Sequence, residues 1–223
     1  MRRIVKTHAP QELLEWREEN KDFNHSYNDL SCTGAHRVLK EKLLEEQGKL
    51  CAYTGTSIET KTSHIEHLKP QNKCNEWEDV DYRNVVVCFP LDGGDKSLGY
   101  GAPMKGGWWD ESKFISPLSD DCERRFKFAW SGRIHPHPID HEAAIETISL
   151  LGLNNKKLQL LRKARIDGFF GFGKQTQSKP LSIADAKTAL LHVDKFSHGK
   201  LTEFCFVLKQ LLPKYINKGK IDD

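Results

Sequence analysis

The sequence contains no long apolar run. Across its 223 residues, no stretch approaches the roughly 20 apolar residues that a transmembrane helix requires. The N-terminus, residues 1–8, is basic and lacks the apolar core of a secretory signal. These absences exclude a membrane-spanning protein, and we expect a cytoplasmic one with no membrane partner.

A large excess of charge of either sign is also absent. The 34 Lys and Arg residues nearly balance the 31 Asp and Glu residues, which leaves a formal net charge of +3. This balance permits a polyanionic partner but does not require one. A surface that binds nucleic acid would therefore be a local patch of the protein.

The six cysteines lack the spacing of a structural zinc site. Such a site needs two pairs of the Cys-x-x-Cys type. Cys51 is followed three residues later by Thr54, and no cysteine follows Cys88 at that spacing. We therefore expect free, mostly buried thiols and no structural zinc.

Hydrophobic periodicity predicts helices before a strand-rich middle region. A short helix is predicted over residues 10–20, and a stronger one over 34–47 that Gly48 ends. Strands are predicted at residues 50–53, 63–66 and 84–89. Residues 92–107 contain six glycines, which predicts a functional loop or a loop leading into a short helix.

The C-terminal half predicts a hairpin followed by helices. The hairpin turns at Ser131 and Gly132, after residues 125–130 and before Ile134. One helix is predicted from a cap at Asp140 to Leu151, and a second from a cap at Asn154 or Asn155 to Gly168. After a linker over residues 168–180, a third helix is predicted to begin at a Ser182 cap, and a fourth to span residues 201–212. From residue 171 onward, nine lysines accompany five acidic residues, which favours a solvated helical face over a docking surface for phosphate or a partner.

The middle region also holds the residues of a candidate catalytic site. Residues 63–70 predict a short strand that ends in a proline turn and places Glu66 beside His67. A carboxylate is a hard oxygen ligand suited to Mg²⁺ or Mn²⁺. A neutral imidazole can take a proton from water near physiological pH. Hydrolysis of a phosphodiester bond needs both a base that activates water and a cation that neutralises charge.

Glu66, His67 and Pro70, followed by Asn84 at the start of an apolar strand, resemble the HNH (ββα-metal) nuclease motif. The resemblance implies a metal ligand at Glu66 and a general base at His67. It also implies that Asn84 pins the loop that bears the histidine.

The order of the flanking segments is similar to that of the PtuB family of HNH proteins. The similarity covers roughly residues 1–170, from the N-terminal helical segment through residues 47–53 and the motif to residues 126–128 and 144–154. PtuB proteins are the nuclease partners of PtuA, an SMC/RecF-type ATPase, in Septu and in some retron anti-phage systems. The resemblance therefore implies a PtuA-like ATPase as partner and antiviral defence as the context.

The third metal ligand of the motif has no clear match. Ala102 stands where the family has a ligand, and Asp92 and Asp95 are the nearby carboxylates, of which we favour Asp95. His64 shares a strand face with Glu66 and is a further candidate ligand. The expected cofactor is one divalent metal, Mg²⁺ or Mn²⁺.

Contacts with nucleic acid are expected from basic and aromatic side chains near the motif. Lys69, Lys96 and Lys105 are candidates for phosphate contacts, although glycine-rich loops often carry lysine for solubility. Trp108 and Trp109 could stack on bases, and packing is an equally good interpretation.

These observations predict an α+β fold in which a small ββα-metal (HNH) nuclease centre is embedded in a mostly helical shell. The predicted parts are residues 1–49 (helical), 50–115 (HNH core), 116–170 (hairpin and helical support) and 171–223 (basic and helical). The predicted function is metal-dependent cleavage of nucleic acid by the effector subunit of an ATPase-associated anti-phage complex. Two alternatives remain open: an effector that cleaves RNA such as tRNA by the same chemistry, and a non-catalytic HNH-like adaptor that docks to the ATPase. The residue types do not separate DNA from RNA, because this chemistry needs no 2′-hydroxyl.

Overall fold

Helices and short strands alternate along the chain in an α+β fold. The computed structural model describes residues 1–23, 25–172 and 179–218. The helices in these ranges are α1 (Gln11–Glu19), α2 (Tyr27–Ser31), α3 (Gly34–Glu46), α4 (Ala102–Lys105), α5 (Glu142–Leu150), α6 (Lys156–Phe170), α7 (Ile183–His192) and α8 (Cys205–Lys218). The strands are β1 (His64–His67), β2 (Val85–Cys88), β3 (Phe126–Phe128) and β4 (Ile134–Pro136). Part of the predicted linker, residues 173–178, lies outside the described ranges.

The strands form two separate antiparallel pairs. β1 pairs with β2 in a register that sets Glu66 opposite Val86 and His67 opposite Val85. The four residues of β2 are all buried, whereas β1 alternates between half-buried and buried positions. Because side chains alternate across a strand, His64 and Glu66 share one face of β1. The order β1, β2, α4 is two strands followed by a single helical turn, and the predicted second hairpin is confirmed as β3–β4.

The helices predicted from periodicity in the N-terminal region are confirmed. α1 and α3 lie within the predicted ranges 10–20 and 34–47. The Thr33 hydroxyl caps α3 by accepting a hydrogen bond from the His36 amide, as expected of a threonine N-cap. α3 buries Leu39, Leu43 and Leu44 and packs against α1 and β2, so it supports the strand pair from behind.

The strand predicted over residues 50–53 is wrong. Only Leu50 pairs, in an isolated bridge with Ser57, and the amide of Gly55 donates to the carbonyl of Cys51 at 2.9 Å. The chain therefore reverses instead of extending. Gly55 has φ +76°, and a Cβ there would collide with the ring of Phe206, so the turn requires glycine.

The C-terminal helices differ from the prediction at their ends. Asn155 caps α6, which runs past the predicted end at Gly168 and terminates at Gly171, with φ +72°. Ser182 caps α7 as predicted. The last helix is α8, which begins at Cys205 rather than 201 and continues through Pro213 rather than ending at 212. Burial of the Tyr215 ring and a hydrogen bond from its hydroxyl to Leu181 O hold the turns beyond that proline.

One apolar core includes side chains from every part of the chain. α8 packs on α7 and β3, and Leu208 and Leu211 have no exposed surface. The Phe206 ring lies 5.5 Å from the ring of Phe128 in β3, centroid to centroid. Helices α7 and α8 are therefore integral to the core. No helix among the described residues is long and apolar enough to cross a membrane.

Candidate active site

His67, the last residue of β1, has an imidazole fixed in one tautomer. Its Nε2 lies 2.8 Å from the carbonyl oxygen of Asp79. A carbonyl oxygen only accepts hydrogen bonds, so Nε2 carries the hydrogen and donates it. In the neutral ring, Nδ1 then keeps its lone pair. Burial lowers the pKa of His67 against the raising effect of the Asp79 carbonyl, which keeps the ring neutral near physiological pH.

The lone pair of His67 lies beside a cleft of about 310 Å³, which we call the His67 cleft. The cleft is lined by Glu66, His67, Pro70, Gln71, Asn72, Lys105, Gly106 and Gly107. The Gln71 side-chain nitrogen is 3.5 Å from His67 Nδ1, which makes this a long and weak hydrogen bond. A water molecule in this cleft could reach the unprotonated nitrogen.

Tyr27 and Asp79 hold the His67 ring from the side of the N-terminal helices. The Tyr27 ring lies edge-on to His67 with centroids 4.5 Å apart, and its hydroxyl is 2.9 Å from His36 Nε2. The Tyr27 amide donates to the Asp79 carboxylate at 2.7 Å. Because the carbonyl of Asp79 accepts from His67, one short chain of contacts joins α2 to the imidazole.

Asn84 ties the loop after His67 to the start of β2. Its side-chain oxygen accepts from the Lys69 amide at 2.8 Å. Its amide nitrogen donates to the carbonyls of Lys69 at 3.1 Å and Glu78 at 3.0 Å. The Asn84 side chain thus provides hydrogen-bond partners for backbone groups that are not paired in a sheet. The same stretch contains Asp79, whose carbonyl orients His67.

His64 and Glu66 face each other on β1. His64 Nδ1 hydrogen-bonds the carbonyl oxygen of Pro90 and must be its donor. His64 Nε2 is buried, has no hydrogen-bond partner among the described residues, and lies 3.5 Å from Glu66 Oε2. Burial lowers the pKa of His64, but the Glu66 carboxylate and the Pro90 carbonyl outweigh it, so the pKa lies above its usual value.

This pair suits a divalent cation. A neutral imidazole nitrogen and a carboxylate oxygen at 3.5 Å are two acceptors that need a positive charge between them, either a proton or a metal ion. Imidazole nitrogen and carboxylate oxygen both ligate Mn²⁺, and Mg²⁺ is commonly held by one or two carboxylates together with waters and phosphate. Among the described residues, no group of three or more His, Cys, Asp or Glu side chains is placed to hold a metal. The donor set present is therefore the His64–Glu66 pair.

Lys105, at the end of α4, lies on the other side of Glu66. Its ammonium group is 3.1 Å from Glu66 Oε1 and donates to His67 O at 2.8 Å. The side chain is 1% exposed, so this charge is buried. Tyr53 OH is 3.5 Å from the same Glu66 oxygen. Lys105 therefore neutralises the negative charge of the Glu66 carboxylate inside the protein and does not present a free positive charge to phosphate.

Asp92, Asp95 and Lys96, in the glycine-rich loop, are exposed, and Asp95 as the third metal ligand stays a prediction. Asp95 is exposed, and its carboxylate accepts from the Ser97 amide at 2.8 Å. Asp92 is also exposed and accepts from the Gly94 amide at 2.8 Å. Within the described chain, no hydrogen bond or ion pair joins either carboxylate to Glu66. Lys96 is exposed beside them.

The glycine-rich loop still approaches the site at one point. A Cβ on Gly93 would lie 2.7 Å from His64 Nε2, so the backbone passes directly over the imidazole. The glycine permits this approach because it has no side chain. Of the two carboxylates, Asp92 is the one adjacent to this contact.

Sequence reasoning missed two contributors to the site. Tyr27 and Asp79, which hold His67, lie in stretches without a motif, and their contacts are tertiary. Lys105 was named as a candidate for phosphate contact, and its ammonium group pairs with Glu66. The six cysteines form no disulfide.

The fold and the site define an α+β protein with an acid–histidine centre at the end of a short strand. The chain is similar to a protein of Vibrio cholerae serotype O1 biovar El Tor named "Retron Vc95 putative HNH endonuclease". The two are 28% identical over 150 residues, which cover 65% of this chain and 71% of the relative. No protein-family model matches the chain. This similarity agrees with the resemblance of the motif to HNH nucleases, and membership of the PtuB family in particular stays a prediction.

Proposed function

We propose that this chain is an HNH endonuclease that hydrolyses phosphodiester bonds of nucleic acid, with β1, β2 and α4 as its ββα-metal centre. The observation that carries the proposal is the His67 imidazole, whose Nε2 donates to the Asp79 carbonyl, which leaves Nδ1 unprotonated in the neutral ring, while His67 and Glu66 line the same cleft. The similarity to a retron-associated protein named as an HNH endonuclease supports it independently.

In the proposed mechanism, His67 is the general base. Its Nδ1 takes a proton from water, and the water oxygen attacks phosphorus. The bond from phosphorus to the 3′ oxygen breaks, and that oxygen takes a proton from solvent. Glu66 and His64 would hold Mg²⁺ or Mn²⁺, which when bound neutralises charge on the phosphate and the leaving oxygen. Asn84 and Tyr27 keep the imidazole aimed at the cleft.

We further propose that the nuclease is the effector of an anti-phage complex and that a PtuA-like ATPase controls it. A constitutively active nuclease would damage its own cell, so control by a partner is expected. The substrate is DNA or RNA, tRNA included, because attack of water on phosphorus needs no 2′-hydroxyl.

A second candidate function is a non-catalytic adaptor with the same fold. The observation that favours it is the buried Lys105 ammonium on Glu66, together with the absence of a third acidic or imidazole ligand among the described residues. An adaptor would bind the ATPase without cutting nucleic acid.

The first prediction tests the base directly. Labelled DNA and total tRNA are incubated with the chain and a PtuA-like ATPase in Mg²⁺ or Mn²⁺. We expect cleavage that EDTA abolishes and that His67→Ala lowers by about 100- to 10,000-fold, the usual contribution of a general base. His8→Ala, an exposed histidine, is the matched control and should cut normally. Equal cutting by His67→Ala would remove His67 from the mechanism, and no cutting by the wild-type chain would favour the adaptor.

A further inference from the structure

A second cleft lies on the other side of the segment that follows His67. It has a volume of about 490 Å³, and we call it the Trp109 cleft. Its apolar part is formed by Leu68, Trp109, Phe114 and Leu118, and its rim carries charged side chains, Arg83 among them. The mechanism of hydrolysis uses none of these side chains.

We propose that the Trp109 cleft receives an unpaired nucleobase of the strand that is cut, while Arg83 contacts a neighbouring phosphate. The inference rests on the proposed nuclease function and adds a substrate class to it: nucleic acid that is single-stranded, looped or locally opened. A base inside a duplex cannot enter such a cleft, because both of its faces are stacked and its pairing edge is occupied.

The aromatic side chains make the cleft a stacking platform. The Trp109 ring is half-buried and lies 6.4 Å from the ring of Phe114, at an interplanar angle of 53°. Phe114 is buried and packs edge-on against Tyr53 at 5.9 Å, which fixes the wall behind Trp109. A held aromatic ring of this kind stacks on any base, because every base has a π-face.

The position of the cleft matches the path of a strand through the active site. Lys69 lines the Trp109 cleft and the adjacent Pro70 lines the His67 cleft. Gly107 lines the His67 cleft and Trp109 lines the other. Two residues of chain span at most about 7 Å, and a stacked strand rises about 3.4 Å per nucleotide. A base on Trp109 would therefore lie within a few nucleotides of a phosphate at His67.

The charges favour a base inside the cleft and a phosphate at its rim. Glu78, Asp81 and Glu111 line the cleft, and carboxylates repel phosphate but accept hydrogen bonds from the amino groups of bases. Lys69 is already paired with Glu78. The Arg83 side chain is exposed and has no hydrogen-bond or ion-pair partner among the described residues. Arg83 also lines the adjoining pocket that contains Arg3 and Lys6. Its guanidinium group therefore lies where the sugar–phosphate backbone of the bound strand would leave the Trp109 cleft.

The test measures binding without cleavage, on the full chain carrying His67→Ala. The probes are a short fluorescein-labelled single strand, the same sequence as a blunt duplex, and single strands with one abasic site placed at successive positions. Anisotropy should show tighter binding of the single strand than of the duplex. Trp109→Leu should raise the dissociation constant for the single strand about fivefold or more, whereas Trp109→Phe keeps a stacking ring and should bind nearly as the parent.

Matched variants and the abasic series separate a local effect from a general one. Phe23→Leu changes an exposed aromatic side chain that lines neither cleft, and should leave binding unchanged. Arg83→Ala should weaken binding and reduce its salt dependence, whereas Arg133→Ala, an exposed arginine of the β3–β4 turn, should not. One abasic position should weaken binding to the parent and have no further effect on Trp109→Leu. Circular dichroism and thermal unfolding check that each variant is folded.

Equal binding of the single strand by folded Trp109→Leu and its parent would overturn the inference and leave the cleft to a protein ligand. Equal binding of the duplex, or no binding of the single strand, would overturn it too. The proposed nuclease function fails separately, through the absence of metal-dependent cleavage by the wild-type chain. Base binding that depends on Trp109 would then survive as the property of a nucleic-acid-binding module.

Discussion

At the scale of single residues, the Asn84 carboxamide spans the loop that carries His67. Asn84→Ala removes its bonds to the Lys69 amide and to the carbonyls of Lys69 and Glu78. We expect a loss of about 1–3 kcal/mol in the free energy of unfolding, because these backbone groups lose partners. Cleavage should fall with it, because the Asp79 carbonyl that orients His67 is in the same loop.

Urea unfolding and the cleavage rate measure these two effects of Asn84→Ala. Glu76→Ala is the control, because the side chain of this exposed residue of the same loop has no hydrogen-bond or ion-pair partner among the described residues. Wild-type stability and rate in Asn84→Ala would show that the loop holds its shape without the carboxamide.

A metal ion held by Glu66 would have to share the carboxylate with the ammonium group of Lys105. Lys105→Met keeps the apolar part of the side chain and removes the ammonium 3.1 Å from Glu66. Leaving one partner of a buried ion pair alone costs about 3–5 kcal/mol, so the metal-free variant should be less stable. Mn²⁺ should restore part of this loss and raise the melting temperature more in Lys105→Met than in the wild type.

Differential scanning fluorimetry with and without Mn²⁺ tests this competition. Glu66→Gln with Lys105→Met is the matched control, because it removes the carboxylate that the ion would neutralise. An equal Mn²⁺ response in Lys105→Met and the double variant would contradict Glu66 as the ligand.

At the scale of elements, the short helix α2 places Tyr27, its first residue, against the imidazole of His67. The Tyr27 ring lies 4.5 Å from His67, and its hydroxyl contacts His36. Tyr27→Ala should lower the maximal cleavage rate about tenfold or more, because small misplacements of a reacting group are costly. Tyr27→Phe keeps the ring and should retain most of the rate. Cleavage kinetics of the two variants check this, and equal loss in both would assign the effect to the hydroxyl instead.

The same scale shows where local patterns predict an element and where they do not. α1, α3 and the β3–β4 hairpin follow from hydrophobic spacing and turn residues, because they are stabilised largely by neighbours in sequence. Residues 50–53 have the sequence pattern of a strand, but the chain forms a turn there. The turn brings Gly55 against the Phe206 ring of α8, where a residue with a Cβ would collide. α8 continues through Pro213 because the burial of Tyr215 outweighs the lost backbone hydrogen bond. Both exceptions depend on contacts between distant parts of the chain.

At the scale of the whole molecule, the region after residue 171 belongs to the core and cannot be removed as a separate docking segment. Truncation there deletes α7 and α8 and exposes the core surface that Leu208, Leu211 and Phe206 now cover. We expect residues 1–170 alone to show no cooperative thermal unfolding by calorimetry. A soluble fragment with a sharp transition would show that the core survives without these helices.

Docking of a PtuA-like ATPase to the basic C-terminal region is better tested on its surface. Exposed lysines Lys187, Lys195 and Lys214 can be changed to Gln without opening the core. Reduced co-purification with the ATPase, at unchanged melting temperature, would support docking at this region. Unchanged co-purification would leave these lysines as a solvated face.

The sequence by itself determined the chemical types at the site and their local order: an acid and a histidine at a strand end, a proline turn, and an asparagine at the start of the next strand. Those features depend on residues that are neighbours in the chain. Only the tertiary structure decided which nitrogen of His67 carries the hydrogen in the neutral ring, that Lys105 pairs with Glu66, that Asp95 accepts from the Ser97 amide, and that Trp109 lines a cleft beside the site. These depend on contacts across many residues, and such contacts leave no periodic mark in a sequence because packing of the whole core sets them.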